Sequence, residues 1–145
     1  MQNDRGRPFE RLRRVLLVED DEDLRDTMLM VLESFGLEAT GVATAEEAVE
    51  RLATPFDLLI TDFDLPGMSG VELLETCRQR QLHLPVIFLS GRAERVPREQ
   101  VALEDCCATL MRKPANARVF EQALYAADAR VHHADCVHRR ATAVR

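Results

Sequence analysis

Four short apolar runs in this chain each stop at a polar residue of a different kind. Val15-Leu16-Leu17-Val18 runs into Glu19-Asp20-Asp21, and Leu58-Leu59-Ile60-Thr61 into Asp62. Val86-Ile87-Phe88-Leu89 runs into Ser90, and Thr109-Leu110-Met111-Arg112 into Lys113-Pro114. Runs this short and continuous read as strands buried on both faces, the pattern of a parallel sheet covered by helices. If all belong to one sheet, the residues after them meet at its carboxyl edge, where open α/β sheets bind ligands. The meeting joins carboxylates, one hydroxyl and one ammonium, a set suited to a divalent cation and a phosphoryl group.

The segments between the runs supply helices. Leu24, Met28, Val31, Leu32 and Phe35 recur at helical spacing, and Gly36 gives a stop just beyond them. A brief strand is expected over 38–42. Thr44-Ala45-Glu46-Glu47 has the form of a capping box and opens a helix carrying Ala48, Val49 and Leu52. Pro55 ends that helix, and a third strand follows over 57–62. Residues 63–70 carry the Pro and Gly of a loop, after which Val71, Leu73, Leu74 and Cys77 begin a third helix. A fourth strand ends at Ser90-Gly91, a fourth helix is signalled after Pro97, and a fifth strand spans 108–112. Asn116 is placed to cap a last helix with Val119, Phe120, Ala123, Leu124 and Ala127 facing inward. Strand and helix alternate five times, so the expected fold is α/β, a doubly wound (βα)5 parallel sheet with right-handed crossovers. The expected folded domain covers 14–130, with a flexible Arg-rich arm at 1–13 and a tail at 131–145.

Composition narrows the function. A length of 145 residues suits one domain, and no separate output domain is expected within it, whether the chain is a stand-alone receiver or part of a larger regulator or hybrid kinase. The formal charge of −6 argues against nucleic acid as the main partner. No run approaches the ~20 apolar residues of a membrane span, and no apolar leader opens the chain, so a cytoplasmic location is expected. Cys77, Cys106, Cys107 and Cys136 form no CxxC pair and are expected as reduced thiols. Of the 19 basic residues, only Lys113 is lysine. Lysine offers a compact charge on a flexible stem where arginine offers a planar fork, so its single use beside Pro114 singles the position out.

The sheet edge then has a definite chemistry. Glu19, Asp20 and Asp62 would lie at the ends of neighbouring strands, with Asp21 and Asp64 close by. Ionised carboxylates crowded this way raise each other's pKa unless a cation joins them. An all-oxygen site with few protein ligands favours Mg²⁺. Asp62 has the surroundings of a nucleophile that attacks phosphorus to form an aspartyl phosphate. Mg²⁺ and Lys113 would offset the charge on the phosphoryl oxygens, and Ser90 would donate a hydrogen bond.

Four motifs stand in order: the acidic pair Glu19-Asp20, Asp62 within Asp62-Phe63-Asp64-Leu65-Pro66-Gly67-Met68-Ser69-Gly70, Ser90-Gly91, and Lys113-Pro114. Together they resemble the receiver domain of two-component response regulators, of the single-domain, chemotaxis-regulator-like type, over about residues 14–130. The resemblance implies a flavodoxin-like sheet in strand order 2-1-3-4-5. It also implies a signalling switch and not an enzyme with a separate substrate. Asp62 would accept phosphate from a sensor histidine kinase or a histidine phosphotransfer protein and lose it slowly by hydrolysis. Asp20 and Asp62 would ligate Mg²⁺ through side chains, Asp64 through its backbone carbonyl, and Glu19 through water. Lys113 would hold a phosphoryl oxygen beside a cis Lys113-Pro114 peptide, and Ser90 would swing towards the phosphoryl group. A homodimer through the fourth helix, fifth strand and fifth helix is a further implication.

The chain departs from the family in two places. Leu110 stands three residues before the lysine, where the family usually has Tyr or Phe, and Cys106-Cys107 replaces a common Gly-Ala pair. Both changes touch signal output, and neither removes the phosphorylation chemistry. A rival reading comes from Asp62-Phe63-Asp64, which also resembles the first motif of haloacid-dehalogenase phosphatases. That motif sits on a first strand with its acidic pair downstream, and here the order is reversed. A receiver-shaped module that signals without phosphate is the other alternative. Asp64 and Arg92 are expected to pair across the phosphoryl site and hinder the attacking water. His132, His133, Cys136 and His138 are possible metal ligands, with a frayed helix end the plainer reading.

Overall fold

The computed structural model describes residues 9–91, 108–113 and 116–130. One five-stranded parallel sheet is built from β1 (Arg14–Val18), β2 (Glu38–Val42), β3 (Leu58–Asp62), β4 (Val86–Ser90) and β5 (Ala108–Arg112). Its order is β2-β1-β3-β4-β5, the doubly wound arrangement the sequence resemblance implies. The helices are α1 (Glu22–Ser34), α2 (Ala45–Arg51), α3 (Gly70–Gln79) and the C-terminal α4 (Ala117–Arg130). The helix expected after Pro97 lies outside the described residues. No described helix is long and apolar enough to cross a membrane.

Strand side chains alternate between two core layers, as the two-residue period of a strand requires. Leu16, Val18, Leu59, Phe63, Val86 and Phe88 pack on one face with Ala45 and Ala48 of α2 and Leu73, Leu74 and Cys77 of α3. Val15, Leu17, Leu58, Ile60, Ile87 and Leu89 pack on the other with Met28 and Leu32 of α1 and Phe120, Leu124 and Ala127 of α4. The three inner strands are covered on both sides, which is why their sequences read as unbroken apolar runs. Leu110, at the position where the family usually has Tyr or Phe, is half-buried against the first layer.

Three local expectations are corrected. Residues 9–12 were expected in a flexible arm, yet Phe9 and Leu12 are buried in the α1–α4 layer. Phe9 meets the Phe35 ring edge-on and lies 4.8 Å from the Tyr125 ring. The backbone N–H groups of Glu10, Arg11 and Leu12 all donate to the Asp128 carboxylate at 2.7–3.1 Å. Val119 was expected inward and is 43% exposed. Adjacent helical residues point about 100° apart, and Phe120 takes the inward direction. The capping box at α2 is only half formed. Thr44 Oγ1 accepts from the Glu47 N–H at 3.1 Å, but the Glu47 carboxylate reaches the Ala43 N–H, one residue short of the reciprocal partner.

Candidate functional site

The ladder bonds carry the strands one residue beyond their ends and set the polar residues level. Glu19 N–H donates to the Val42 carbonyl at 3.0 Å, Phe63 N–H to the Leu89 carbonyl at 2.8 Å, and Lys113 N–H to the Ser90 carbonyl at 2.8 Å. In register, Asp62 faces Leu89 and Ser90 faces Arg112. Lys113 Nζ therefore reaches across to Asp62 Oδ1 at 2.6 Å and Glu19 Oε1 at 2.9 Å. Carboxylate oxygens of Glu19, Asp20 and Asp62 lie within 4.8 Å of one another. Glu19 and Asp62 are buried, whereas Asp20 opens to solvent. Ser90 is buried at the end of β4, and Asp64 is exposed in the loop after β3.

Burial dominates the electrostatics. The Asp62 carboxyl is pushed up to about 7, first by desolvation and then by the neighbouring Glu19 charge, against the opposing pull of Lys113. Lys113 is raised above its ordinary value. Burial alone would lower it, but its contacts with Asp62 and Glu19 outweigh that and hold it protonated. One ammonium thus serves two buried acids, with a third acid at the rim.

A divalent cation fits this donor set. The ligands are hard carboxylate oxygens drawn from the ends of two strands, the chemistry Mg²⁺ prefers. Glu19 Oε1 is buried and has Lys113 Nζ as an ion-pair neighbour, yet makes no well-angled hydrogen bond among the described residues. Its capacity to accept from a cation's water is therefore open. The other oxygen, Oε2, is occupied by the Asp21 N–H at 3.1 Å.

Two supports were not read from the sequence. Ser69 and Glu72 form a complete capping box at the start of α3, with bonds of 2.8 and 3.1 Å. The spacing Ser-x-x-Glu was there to find. Gly70 follows immediately, and a Cβ there would sit 2.3 Å from the Asp62 carbonyl oxygen. Gly70→Ala must therefore push α3 and the end of β3 apart. It is expected to cost about 2 kcal/mol of unfolding free energy in a urea titration. An unchanged midpoint and slope would contradict that packing.

Arg92, Pro114 and the His132, His133, Cys136 and His138 group lie outside the described residues, as do Cys106 and Cys107. A cleft of about 240 Å³ adjoins Lys113, lined by Leu24, Met28, Leu89, Met111 and Phe120. A larger one, about 390 Å³, opens at the opposite edge of the sheet between 52–57 and 81–85 and includes none of the clustered acids.

The sequence and the fold have counterparts among known proteins. The response regulator receiver domain family matches residues 15–125. The response regulator FleR of Pseudomonas aeruginosa is 40% identical over 108 residues, covering 74% of this chain and 23% of its own length. The response regulator receiver protein CpdR of Brucella abortus is 37% identical over 83 residues, covering 57% of this chain and 69% of its own. The chain thus spans only about a quarter of FleR but over two thirds of CpdR. A CheY-like receiver domain from Methanospirillum hungatei superposes with a TM-score of 0.74 at 29% identity, covering 81% of this chain and 94% of that one. None of these likenesses supports the haloacid-dehalogenase alternative. With the strand order, the acid–lysine cluster and the family match in agreement, the chain belongs to the response regulator receiver family of two-component systems.

Proposed function

We propose that this receiver is a phosphorylation switch with Asp62 as its phosphoacceptor. The observation that carries the reading is a buried Asp62 carboxylate 2.6 Å from the chain's only lysine and grouped with Glu19 and Asp20. An Asp62 oxygen attacks the phosphorus of a phosphohistidine, the P–N bond breaks, and an aspartyl phosphate forms with the imidazole as leaving group. Mg²⁺, when bound, stabilises the charge on the transferring phosphoryl oxygens. Asp20 and Asp62 would hold it through side chains, Asp64 through its backbone carbonyl, and Glu19 through water. Lys113 exchanges its contact with Asp62 for one with a phosphoryl oxygen, and Ser90 donates a hydrogen bond to another. The donor is a sensor histidine kinase or a histidine phosphotransfer protein in the cytoplasm, and the protein turns over no separate substrate.

Acetyl phosphate with Mg²⁺ tests the reading without the cognate kinase. Intact-mass analysis is expected to show a single added phosphoryl group, lost when EDTA replaces Mg²⁺. Sustained hydrolysis of a phosphate ester with no phosphorylated protein at any time would point to a phosphatase instead.

A further inference from the structure

Five consecutive acids follow β1: Glu19, Asp20 and Asp21 in the turn, and Glu22 and Asp23 at the start of α1. Such a run repels itself, and the repulsion acts on the two residues that must be held towards the sheet edge. Asp21 caps α1, accepting from the Leu24 N–H at 3.1 Å. Capping fixes the helix side of the turn and leaves the strand side to be held otherwise.

Arg25 holds the strand side. It is the first basic residue after the acidic run. Its Nη1 reaches back six positions from α1 and donates to the Glu19 backbone carbonyl at 2.9 Å in a partly buried setting. The bond goes to the main chain, so a positive charge is brought to the acidic turn without using a carboxylate oxygen. A pairing with Asp20 or Glu19 side chains would have taken up the very atoms a cation needs.

Gly41 makes room for this. It lies in β2 beside β1, where glycine weakens a strand and signals a close approach by something else. A Cβ at Gly41 would sit 3.2 Å from Arg25 Cγ and Cδ and 2.9 Å from Leu29 Cδ1. The aliphatic stem of Arg25 therefore lies across the bare backbone of Gly41 on its way to the Glu19 carbonyl.

We infer that Arg25, seated on Gly41, is a positioning residue that sets the Glu19-Asp20 turn for divalent-cation binding. The inference rests on the metal reading proposed above. Calorimetric titration of the full chain with Mg²⁺ tests it, using wild type, Arg25→Met, Arg25→Lys and Gly41→Val, with urea unfolding in EDTA run alongside. Arg25→Met is expected to bind Mg²⁺ about tenfold more weakly, the low end of what outer partners of metal ligands contribute. Arg25→Lys keeps the charge and is expected to recover part of that loss. Gly41→Val displaces the stem and is expected to weaken Mg²⁺ binding as Arg25→Met does, with no further weakening when the two are combined. Arg25→Met that loses stability but binds Mg²⁺ as wild type does would overturn the inference, leaving Arg25 a purely structural residue. Equal binding with equal stability would overturn it too. Failure of wild type itself to bind Mg²⁺ would instead remove the metal reading and this inference with it.

Discussion

Lys113→Met is expected to slow phosphorylation of the protein by acetyl phosphate roughly a hundredfold at saturating Mg²⁺, the effect of removing one preorganised charge from a transition state. Methionine keeps the length and apolar character of the stem at the cleft lined by Leu89 and Met111, while the charge goes. Two consequences act together. The negative charge gathering on the phosphoryl oxygens loses its fixed counter-charge. Asp62 and Glu19 also lose the ammonium now 2.6 and 2.9 Å away, so Asp62 becomes harder to ionise. Lys113→Arg is expected to recover little, because a planar fork does not replace a point charge sited between two acids. Pseudo-first-order rates followed by intact mass give the answer, and a Lys113→Met rate within about twofold of wild type would exclude this role for the ammonium.

Asp62→Asn is expected to stabilise the protein near pH 8 by roughly 2 kcal/mol in the absence of divalent cation. The sign follows from the direction of the shift. The Asp62 carboxyl titrates at about 7 in the fold, against 3.8 for the ordinary group. Between those values the folded protein keeps a proton that the unfolded chain has released. Stability therefore falls as pH rises through that window, and above about 7 the whole penalty for an ionised, buried Asp62 is present. Asparagine has the same shape and no charge to bury, so it escapes the penalty. Near pH 4 the carboxyl is protonated in the fold as well, and the two proteins should converge. Urea unfolding in EDTA at both pH values measures this. Added Mg²⁺ should narrow the gap by stabilising wild type alone. Equal stability near pH 8, or Asp62→Asn the less stable there, would contradict the account. The same ionisation predicts that phosphorylation at limiting Mg²⁺ quickens as pH rises through about 7.

The sheet and the acid–lysine cluster were legible because local sequence carries them. Inner strands covered on both faces must be apolar throughout, so Val15, Leu59 and Ile87 belong to runs that announce themselves, and the residues at their ends fall at one edge by topology alone. What stayed hidden depends on partners far along the chain. Phe9 sits in a polar, Arg-rich stretch, and its burial depends on Phe35 and on Tyr125 and Asp128, more than a hundred residues away. Gly70 looks like a loop glycine, and only the approach of the Asp62 carbonyl shows why a side chain is excluded there. Arg25 looks like one solvated charge on an amphipathic helix, and its bond to the Glu19 carbonyl appears only once α1 is laid against β2. Val119 faces outward because helical spacing admits more inward candidates than the sheet has room to bury.

The central claim is that one side chain, Asp62, receives the phosphoryl group. Wild type and Asp62→Asn are incubated with acetyl phosphate and Mg²⁺, and the phosphorylated residue is located by borohydride reduction of the acyl phosphate followed by peptide mass analysis. The account predicts a single modified position in wild type, at Asp62, and no phosphorylation of Asp62→Asn. Phosphorylation of the variant to the wild-type extent, or a wild-type label placed on any other residue, would contradict it.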